Sequence, residues 1–477
     1  MVLEWVGMIF FLIGICLLWS APERLLGLQI IACVFAGSAA ISLPAVGGAT
    51  VAPALATLLI LMFCVIKFGH LNNLFSAMAP GQAGFWLLLL LVWSVFSAIV
   101  MPRVFAGDIT VISMNRASMI PGQLIPLEAL KPGSGNITQT AYIAGELFVF
   151  AVALIFLRLE NGPNSATKAI MWLAGLNLLA ASIDLFGYYS GLGNLLEPLQ
   201  TANYAFMPEA SFGSIKRING TFPEASAFAG FTLPVFAFCY VLYREKLWPR
   251  ISGTLALGNL FALLLATSSA GYGGLAVYGL LVLSGSFMSG LRRGGKTHLG
   301  HYLILIACGV LAVATLLTLM PTVREQAWSI IEDTLLYKSE SSSAMERGEW
   351  NQISWYAFLD TWGLGAGLGS ARASSLPMVM VSNLGLPGSL LFMAFLYRVL
   401  FGKLPEALDH THRSIVTAAR HAVAAALILA SLVASVFDLG VLFYILCAIS
   451  CSPALLYRPV RNTAPTLHHP LTKRAAA

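Results

Sequence analysis

The chain has 477 residues, of which 58% are hydrophobic and only 10% are charged, and its formal net charge is +6. Ordinary soluble domains carry roughly 25% charged residues, so this composition excludes a soluble globular protein of this length. The net charge does not indicate a nucleic-acid partner, because the surplus of lysine and arginine falls in short connections between apolar segments.

Apolar runs long enough to cross a lipid bilayer recur along the whole chain. A transmembrane helix needs about 20 mainly apolar residues, and these runs are continuous rather than alternating, which favours helices over a β-barrel. We therefore predict an all-α fold, with one polytopic membrane domain over residues 1–457 and a disordered polar tail over 458–477. The thirteen predicted spans cover residues 2–20, 25–42, 50–68, 83–101, 139–157, 167–189, 225–243, 251–268, 270–289, 300–320, 377–397, 419–436 and 439–456.

The lysine and arginine residues divide unequally between the two sets of connections. Of the 27 in the chain, eighteen fall in one set and nine in the other, which has the longer loops. The richer set is expected to face the cytoplasm, which puts the N-terminus outside and the C-terminus inside. The long loops 102–138, 190–224 and 321–376 then face outward.

The residues that most often carry catalysis or bind metals avoid the outer face. All eight histidines lie on the predicted cytoplasmic side, and the seven cysteines lie in or at the ends of apolar runs. Neither set gives a metal-ligand spacing or a disulfide framework. We therefore predict no metal and no cofactor, and acid–base chemistry on the outer face would fall to carboxylates.

The first candidate site is the segment Lys216-Arg217-Ile-Asn-Gly220-Thr-Phe-Pro223-Glu224, where an outer loop joins the seventh span. Pro223 suits the first turn of a helix, and a carboxylate such as Glu224 is favoured in that turn by the helix dipole. This pattern indicates an anion-binding arginine beside a possible base. The simpler interpretation, which the pattern alone favours, is a solvated loop before a well-capped helix.

The second candidate lies in the loop 321–376. Its apolar side chains at helical spacing are Trp350, Ile353, Ala357 and Phe358. This spacing predicts an amphipathic helix at the membrane interface, with Arg347 in its first turn. Arginine suits bidentate recognition of phosphate. The alternative is a helix that only caps the bundle.

A glycine-rich run, Gly363-Leu-Gly365-Ala-Gly367-Leu-Gly369-Ser370-Ala-Arg372, ends the same loop. A dinucleotide fingerprint is excluded, because no βαβ unit is possible here. Glycines allow the backbone to approach a ligand or another helix closely, and Arg372 is a third possible phosphate contact. A plain flexible return into the membrane explains the run as well.

Two carboxylates, Glu146 and Asp184, fall inside predicted spans. Charged groups in the membrane are costly and indicate function by default. They could pair with each other or with a loop arginine, or line a proton or substrate path. A satisfied hydrogen bond between helices is the structural alternative.

Three segments occur in a characteristic order over roughly residues 210–400. They are Arg217-x-x-Gly220-x-Phe222-x-Glu224, then Arg347 and Trp350 before Gly365-x-Gly367-x-Gly369-Ser370, then Asn383-Leu-Gly385-Leu-Pro-Gly388-Ser-Leu-Leu-Phe392. In this order, and within a polytopic chain, they resemble the O-antigen ligase and polymerase superfamily (Wzy/WaaL-like proteins).

The resemblance implies a glycosyltransferase on the outer face of the bacterial inner membrane. Its donor would be a glycan linked to undecaprenyl pyrophosphate, and transfer would be metal-independent and inverting. A polymerase joins that glycan to another repeat unit of an O-antigen or exopolysaccharide, whereas a ligase transfers it to lipid A–core. A flippase and a chain-length regulator are the expected protein partners.

Many members of the superfamily, ligases especially, carry a His-Asn pair after the glycine run. This chain has Ala373-Ser374-Ser375 through Ser382-Asn383 there, without a histidine. The departure favours a polymerase and leaves the general base open.

The resemblance assigns the pyrophosphate to Arg217 and Arg347, and we add Lys216 and Arg372 as weaker contacts. For the base we select Glu224, followed by Glu349 and Asp360. A transporter or flippase that uses Glu146 and Asp184 is the main alternative, and a scaffold of an export complex is another.

Overall fold

The computed structural model describes residues 2–44, 49–112, 127–159, 161–204, 206–207, 211–212, 215–293 and 342–453. The described chain is mostly helical, with three small antiparallel sheets. Its helices are α1 (Trp5–Ser20), α2 (Leu25–Ala32), α3 (Pro53–Lys67), α4 (Leu71–Ala77), α5 (Ala83–Val104), α6 (Ser134–Phe156), α7 (Gly162–Tyr189), α8 (Ala225–Arg244), α9 (Pro249–Leu265), α10 (Ser269–Arg293), α11 (Ser342–Asp360), α12 (Leu376–Phe401), α13 (His410–Val433) and α14 (Gly440–Cys451).

The apolar helices confirm the predicted class, a helical membrane protein. Within the described ranges, seven helices are long and apolar enough to cross a membrane, or eight if the bent pair α3 and α4 counts as one span. Helices α1, α9 and α14 are apolar but shorter. The predicted span 300–320 lies outside the described residues, so the total of thirteen spans stays a prediction.

The second predicted span, 25–42, is wrong in its extent. Helix α2 ends at Ala32, a 3-10 turn follows over Cys33–Phe35, and the chain then forms strand β2 (Ile41–Leu43). Strand β2 lies between β1 (Val2–Leu3) and β3 (Ala49–Val51). Hydropathy did not separate the two forms, because a short apolar strand and the end of an apolar helix have the same composition.

The connections predicted to face outward meet at one end of the helical bundle, which we call the loop end. Bonds between distant segments join them: Tyr142 to Thr50, Asn136 to Leu368, Arg372 to Ile112, and Ala373 to Ser435. Two further hairpins lie there, β4 (Thr110–Ile112) with β5 (Leu127–Ala129), and β6 (Ser211–Phe212) with β7 (Ile215–Lys216). The loop end is therefore a connected structure.

The glycine-rich run is buried inside the loop end. A Cβ atom at Gly365 would lie 2.6 Å from the backbone nitrogen of Gly385, and one at Gly369 would lie 2.2 Å from the carbonyl oxygen of Gly135. Both positions have positive φ, of 83° and 79°. Close packing of backbone on backbone explains these glycines, because any side chain would displace the neighbouring segment.

Asn383 of helix α12 holds the end of this run. Its Oδ1 atom accepts hydrogen bonds from the backbone N–H groups of Gly369, Ser370 and Ala371 at 3.1–3.2 Å. Its Nδ2 atom donates to the carbonyl oxygens of Ala371 and Val379. Buried backbone groups outside a helix need such partners, so Asn383 has a structural role here.

The packing of the run predicts a steep cost for one added methyl group. Gly369→Ala should lower the free energy of unfolding by well over about 1 kcal/mol, because both its φ angle and its neighbour Gly135 oppose a side chain. Gly348→Ala is the matched control, since Gly348 lies in helix α11 with no atom near its Cβ position. The control should be neutral or stabilising by up to about 1 kcal/mol. Thermal unfolding in detergent measures both, and equal midpoints would contradict the account.

Candidate functional site

The segment that carries Arg217 is fixed by a buried carboxylate on helix α7. Asp184 accepts hydrogen bonds from the backbone N–H groups of Asn219 and Gly220, at 2.8 and 3.0 Å. Its other oxygen lies 3.4 Å from the Lys216 ammonium. Both side chains of this ion pair are almost completely buried. Asp184 therefore holds the backbone on either side of Arg217.

Further bonds fix the same segment to the rest of the loop end. The Thr221 hydroxyl donates to the carbonyl oxygen of Val34, and the Asn219 side-chain amide donates to that of Met207. Gly220 has φ of 56°, and a Cβ atom there would lie 3.2 Å from the Phe228 ring. The turn is thus tightly packed, and Arg217 projects from a fixed backbone.

Helix α8 begins at Ala225, the first residue of the predicted span, and not at Pro223. Glu224 is the N-cap residue, with extended backbone angles, and the first helical residue is Ala225. Pro223 therefore precedes the helix and is not in its first turn, which corrects the prediction. The Ser226 hydroxyl donates a hydrogen bond to the half-buried Glu224 carboxylate. A carboxylate at the N-cap still gains from the helix dipole.

Helix α11 lies at the predicted position and carries Arg347. Because the helix begins at Ser342, Arg347 lies in its second turn. Arg347, Asn351 and Ser354 follow at i, i+4 and i+7, so they share one face. Asn351 accepts a hydrogen bond from the Ser374 backbone at 2.9 Å, and Ser354 donates to the Arg372 carbonyl oxygen at 3.0 Å. The segment after the glycine run thus fixes this face of α11 toward the bundle.

Arg217 interacts electrostatically with Glu224 and Arg347, and also with Tyr272 of helix α10. Burial lowers the pKa of the Arg217 guanidinium. The Glu224 carboxylate and the Tyr272 phenol raise this pKa, and the Arg347 cation lowers it further. Arginine side chains stay protonated in proteins, so this site carries two positive charges. Two guanidiniums and one carboxylate therefore share a partly desolvated site, which we call the arginine cluster.

The arginine cluster has spare capacity for hydrogen bonds. Arg217 is half-buried, and its Nε atom has no hydrogen-bond partner among the described residues. An unpaired, buried N–H group is unfavourable, and two neighbouring cations repel each other. An anion bound between the two guanidiniums would relieve both costs.

Tyr272 was missed by sequence reasoning. Its hydroxyl donates to the Leu264 carbonyl oxygen at 2.7 Å, across the turn between α9 and α10. Aromatic residues are common at the ends of membrane helices, so a tyrosine there carries no specific signal. Only the tertiary fold shows that this one lies beside Arg217.

The remaining predicted site residues lie elsewhere. The Lys216 ammonium is buried against Asp184, so a contact with a ligand at the bundle surface does not fit its position. Glu349 is two residues from Arg347 and lies on a different face of α11. Asp360 is exposed at the far end of α11, about 20 Å from Arg347 along the helix axis. The backbone of Arg372 is hydrogen-bonded to Ser354 of α11 and to Ile112 of β4.

The two intramembrane carboxylates do not pair with each other. Asp184 is paired with Lys216, whereas Glu146 lies near Asp438 and Tyr444. In the described part of the chain, no three His, Cys, Asp or Glu side chains group together as metal ligands would.

The sequence matches no protein-family model, and no curated protein matches it significantly. The family resemblance therefore rests on the sequence motifs alone, and the function is argued from the arginine cluster.

The Asp184–Lys216 ion pair gives a prediction about stability. Asp184→Asn leaves a buried ammonium without its carboxylate and should cost about 3–5 kcal/mol. Adding Lys216→Met should recover part of this loss, because no buried charge remains. Glu128→Gln is the matched control, since Glu128 pairs with Lys131 at the surface and such pairs are worth about 0–1 kcal/mol. The readout is the thermal midpoint of the purified variants, and an Asp184→Asn midpoint equal to that of the control would refute the anchoring role.

Proposed function

We propose that this protein is a metal-independent, inverting glycosyltransferase that polymerises repeat units of a surface polysaccharide. Its donor is an oligosaccharide linked to undecaprenyl pyrophosphate. The observation that carries the proposal is the arginine cluster, in which Arg217 interacts electrostatically with Arg347 from a separate segment and with the Glu224 carboxylate. Both arginines belong to the motifs that resemble the O-antigen ligase and polymerase superfamily.

The charge of the arginine cluster fits a lipid pyrophosphate. Two guanidiniums supply ten N–H donors on two planar groups, and arginine forms bidentate contacts with phosphate. Each guanidinium can take one phosphate group of the pair. The apolar helices beside the cluster provide the surface along which a polyprenyl chain can lie.

Such a donor needs little further activation, because the pyrophosphate is already a leaving group. The acceptor hydroxyl oxygen attacks the anomeric carbon while the bond from that carbon to the pyrophosphate oxygen breaks. Undecaprenyl pyrophosphate departs with the bonding electrons, and Arg217 and Arg347 stabilise its growing negative charge. Positioning and charge neutralisation supply the catalysis, and the attack opposite to the leaving group inverts the anomeric configuration.

Glu224 is our choice for the general base. It is the carboxylate that acts on Arg217, and its backbone is fixed at the N-cap of helix α8. The hydroxyl proton of the acceptor passes to this carboxylate as the new glycosidic bond forms. Glu349 and Asp360 lose support, since α11 places both away from the face that carries Arg347.

The protein would work in the bacterial inner membrane together with partner proteins. Thirteen spans with a periplasmic N-terminus and a cytoplasmic C-terminus would put the loop end on the periplasmic side of the bacterial inner membrane. A flippase would supply the lipid-linked oligosaccharide from the cytoplasmic side, and a chain-length regulator would set the number of repeat units.

The direct test is incubation of the purified protein with a lipid-pyrophosphate-linked oligosaccharide. A ladder of longer glycans supports the polymerase. Transfer to added lipid A–core would replace it with a ligase. Unchanged donor would contradict glycosyl transfer and would favour a transporter. The transporter hypothesis relied on Glu146 and Asp184, and Asp184 is engaged in an ion pair with Lys216.

The arginine cluster predicts selective losses in that assay. Arg217→Ala and Arg347→Ala should each lower the rate of glycan transfer at least about 100-fold, the usual effect of removing one transition-state donor. Glu224→Gln should reduce the rate strongly while leaving donor binding intact, because glutamine keeps the shape and loses the basicity. All three proteins should stay folded in the membrane.

Arg103→Ala is the matched control for these variants. Arg103 lies at the loop end of α5, is exposed, and bonds only the Ile99 carbonyl oxygen of its own helix among the described contacts. The control should retain wild-type activity. Full-length polymer from both cluster arginine variants would remove the arginine assignment, and wild-type rates from Glu224→Gln would remove that residue as the base.

A further inference from the structure

A cavity of about 330 Å³ lies among helices α3, α6, α8, α13 and α14. Thr50, Tyr142, Tyr204 and Asp438 lie along its wall near the loop end, and Phe222 contributes another part. Phe222 belongs to the same turn as Arg217 and Glu224, so the cavity is adjacent to the arginine cluster. Its volume is near the lower end of the range of about 300–1,000 Å³ typical of small-molecule sites.

The cavity holds a buried carboxyl group with incomplete hydrogen bonding. Glu146 of helix α6 lines it and is only 3% exposed. Its oxygens make no hydrogen bond of full geometric quality with the described residues, and the polar groups that interact with it are Asp438, Tyr444 and the Gly440 backbone N–H. A buried polar group with poorly formed hydrogen bonds is unfavourable, so this position indicates a site where a ligand completes them.

A second carboxylate reaches the same cavity from the connection between α13 and α14. Asp438 is exposed, lines the cavity, and interacts electrostatically with Glu146. One of its oxygens accepts a hydrogen bond from the backbone N–H of Gly440 at 2.9 Å, which fixes its direction. The cavity thus presents hydrogen-bond acceptors from its mouth to its interior.

Aromatic side chains form much of the remaining wall. They are Tyr142, Tyr204, Phe222, Phe231 and Phe443. A sugar ring has apolar C–H faces and a rim of hydroxyl donors. Aromatic surfaces fit the faces, and carboxyl oxygens, which accept hydrogen bonds, fit the hydroxyls. A polyprenyl chain would offer no hydrogen-bond donor to either carboxyl group, so it does not suit this cavity.

We propose that this cavity binds a sugar residue of the glycan substrate, with Glu146 and Asp438 accepting hydrogen bonds from its hydroxyl groups. The inference rests on the proposed glycosyl transfer and names the place where the saccharide is recognised. The lipid pyrophosphate occupies the arginine cluster, and the sugar enters the cavity beyond Phe222. The sugar belongs either to the donor or to the acceptor glycan.

Binding to two probes tests the cavity separately from the arginine cluster. One probe is sugar-free undecaprenyl pyrophosphate, and the other is the same lipid carrying the oligosaccharide. The wild-type protein should bind the oligosaccharide form more tightly. Glu146→Gln and Asp438→Asn should each weaken binding of that form about tenfold, because the amide replaces an acceptor oxygen with a donor group, without changing binding of the sugar-free lipid.

Tyr204→Ala guards against a folding artefact. Tyr204 lines the cavity and is 44% exposed, so its replacement leaves the buried carboxylate in place. It should weaken oligosaccharide binding in the same selective way. Tyr243→Ala is the matched control, because Tyr243 is 52% exposed at the opposite end of α8 and does not line the cavity.

The outcomes separate the two proposals. The sugar site would be overturned if the Glu146, Asp438 and Tyr204 variants still preferred the oligosaccharide form as the wild-type protein does. Binding of a cation alone in the cavity would overturn it as well. Wild-type protein that binds neither probe and transfers no glycan would overturn the proposed function itself.

The variants also show which glycan supplies the bound sugar. If transfer falls in the variants while hydrolysis of the donor by water persists, the bound sugar is that of the acceptor. If both fall, it is that of the donor.

Discussion

The Asp184 carboxylate is the constraint on which the candidate site depends. A charge inside a helical bundle must be matched, and here one oxygen faces the Lys216 ammonium while the other receives two backbone N–H groups. These contacts lie on both sides of Arg217, so its backbone cannot shift without exposing a buried charge. The anchored turn is followed four residues after Gly220 by Glu224, the N-cap residue of helix α8. The sequence suggested that Asp184 could line a proton path, whereas in the structure it anchors the loop.

The second arginine reaches the site by an independent route. Asn383 and the glycine run fix the backbone near Arg372, and hydrogen bonds from there to Asn351 and Ser354 orient helix α11. Arg347 shares that face of the helix. Two rigid frameworks therefore hold two cations together, against their repulsion, at the end of an apolar bundle. The lipid pyrophosphate that we propose as the donor would match both the charge and the apolar surroundings.

The sequence predicted the helices well, because continuous apolar runs allow few alternatives in a membrane. Helix α5 begins at Ala83 as predicted, whereas the span 25–42 failed because hydropathy does not report strand pairing. The distribution of charged residues predicted that Arg217 and Arg347 lie on outer loops. Their interaction with each other depends on contacts between distant segments, which the sequence does not show. Lys216 shows the limit most clearly, since it adjoins Arg217 in sequence yet is buried. Tyr272 and Asp438 lacked any pattern that would separate them from ordinary residues at helix ends.

The central claim is that Arg217 and Arg347 together form a site for the pyrophosphate group of a lipid. It is tested most directly by comparing the binding of undecaprenyl pyrophosphate and undecaprenyl monophosphate to the purified protein at fixed salt. The wild-type protein should prefer the diphosphate at least about tenfold, since the second phosphate gains a charged contact. Arg217→Gln and Arg347→Gln should each abolish that preference, while binding of the monophosphate changes little in at least one of them. A preference for the diphosphate that persists in both variants would contradict the account.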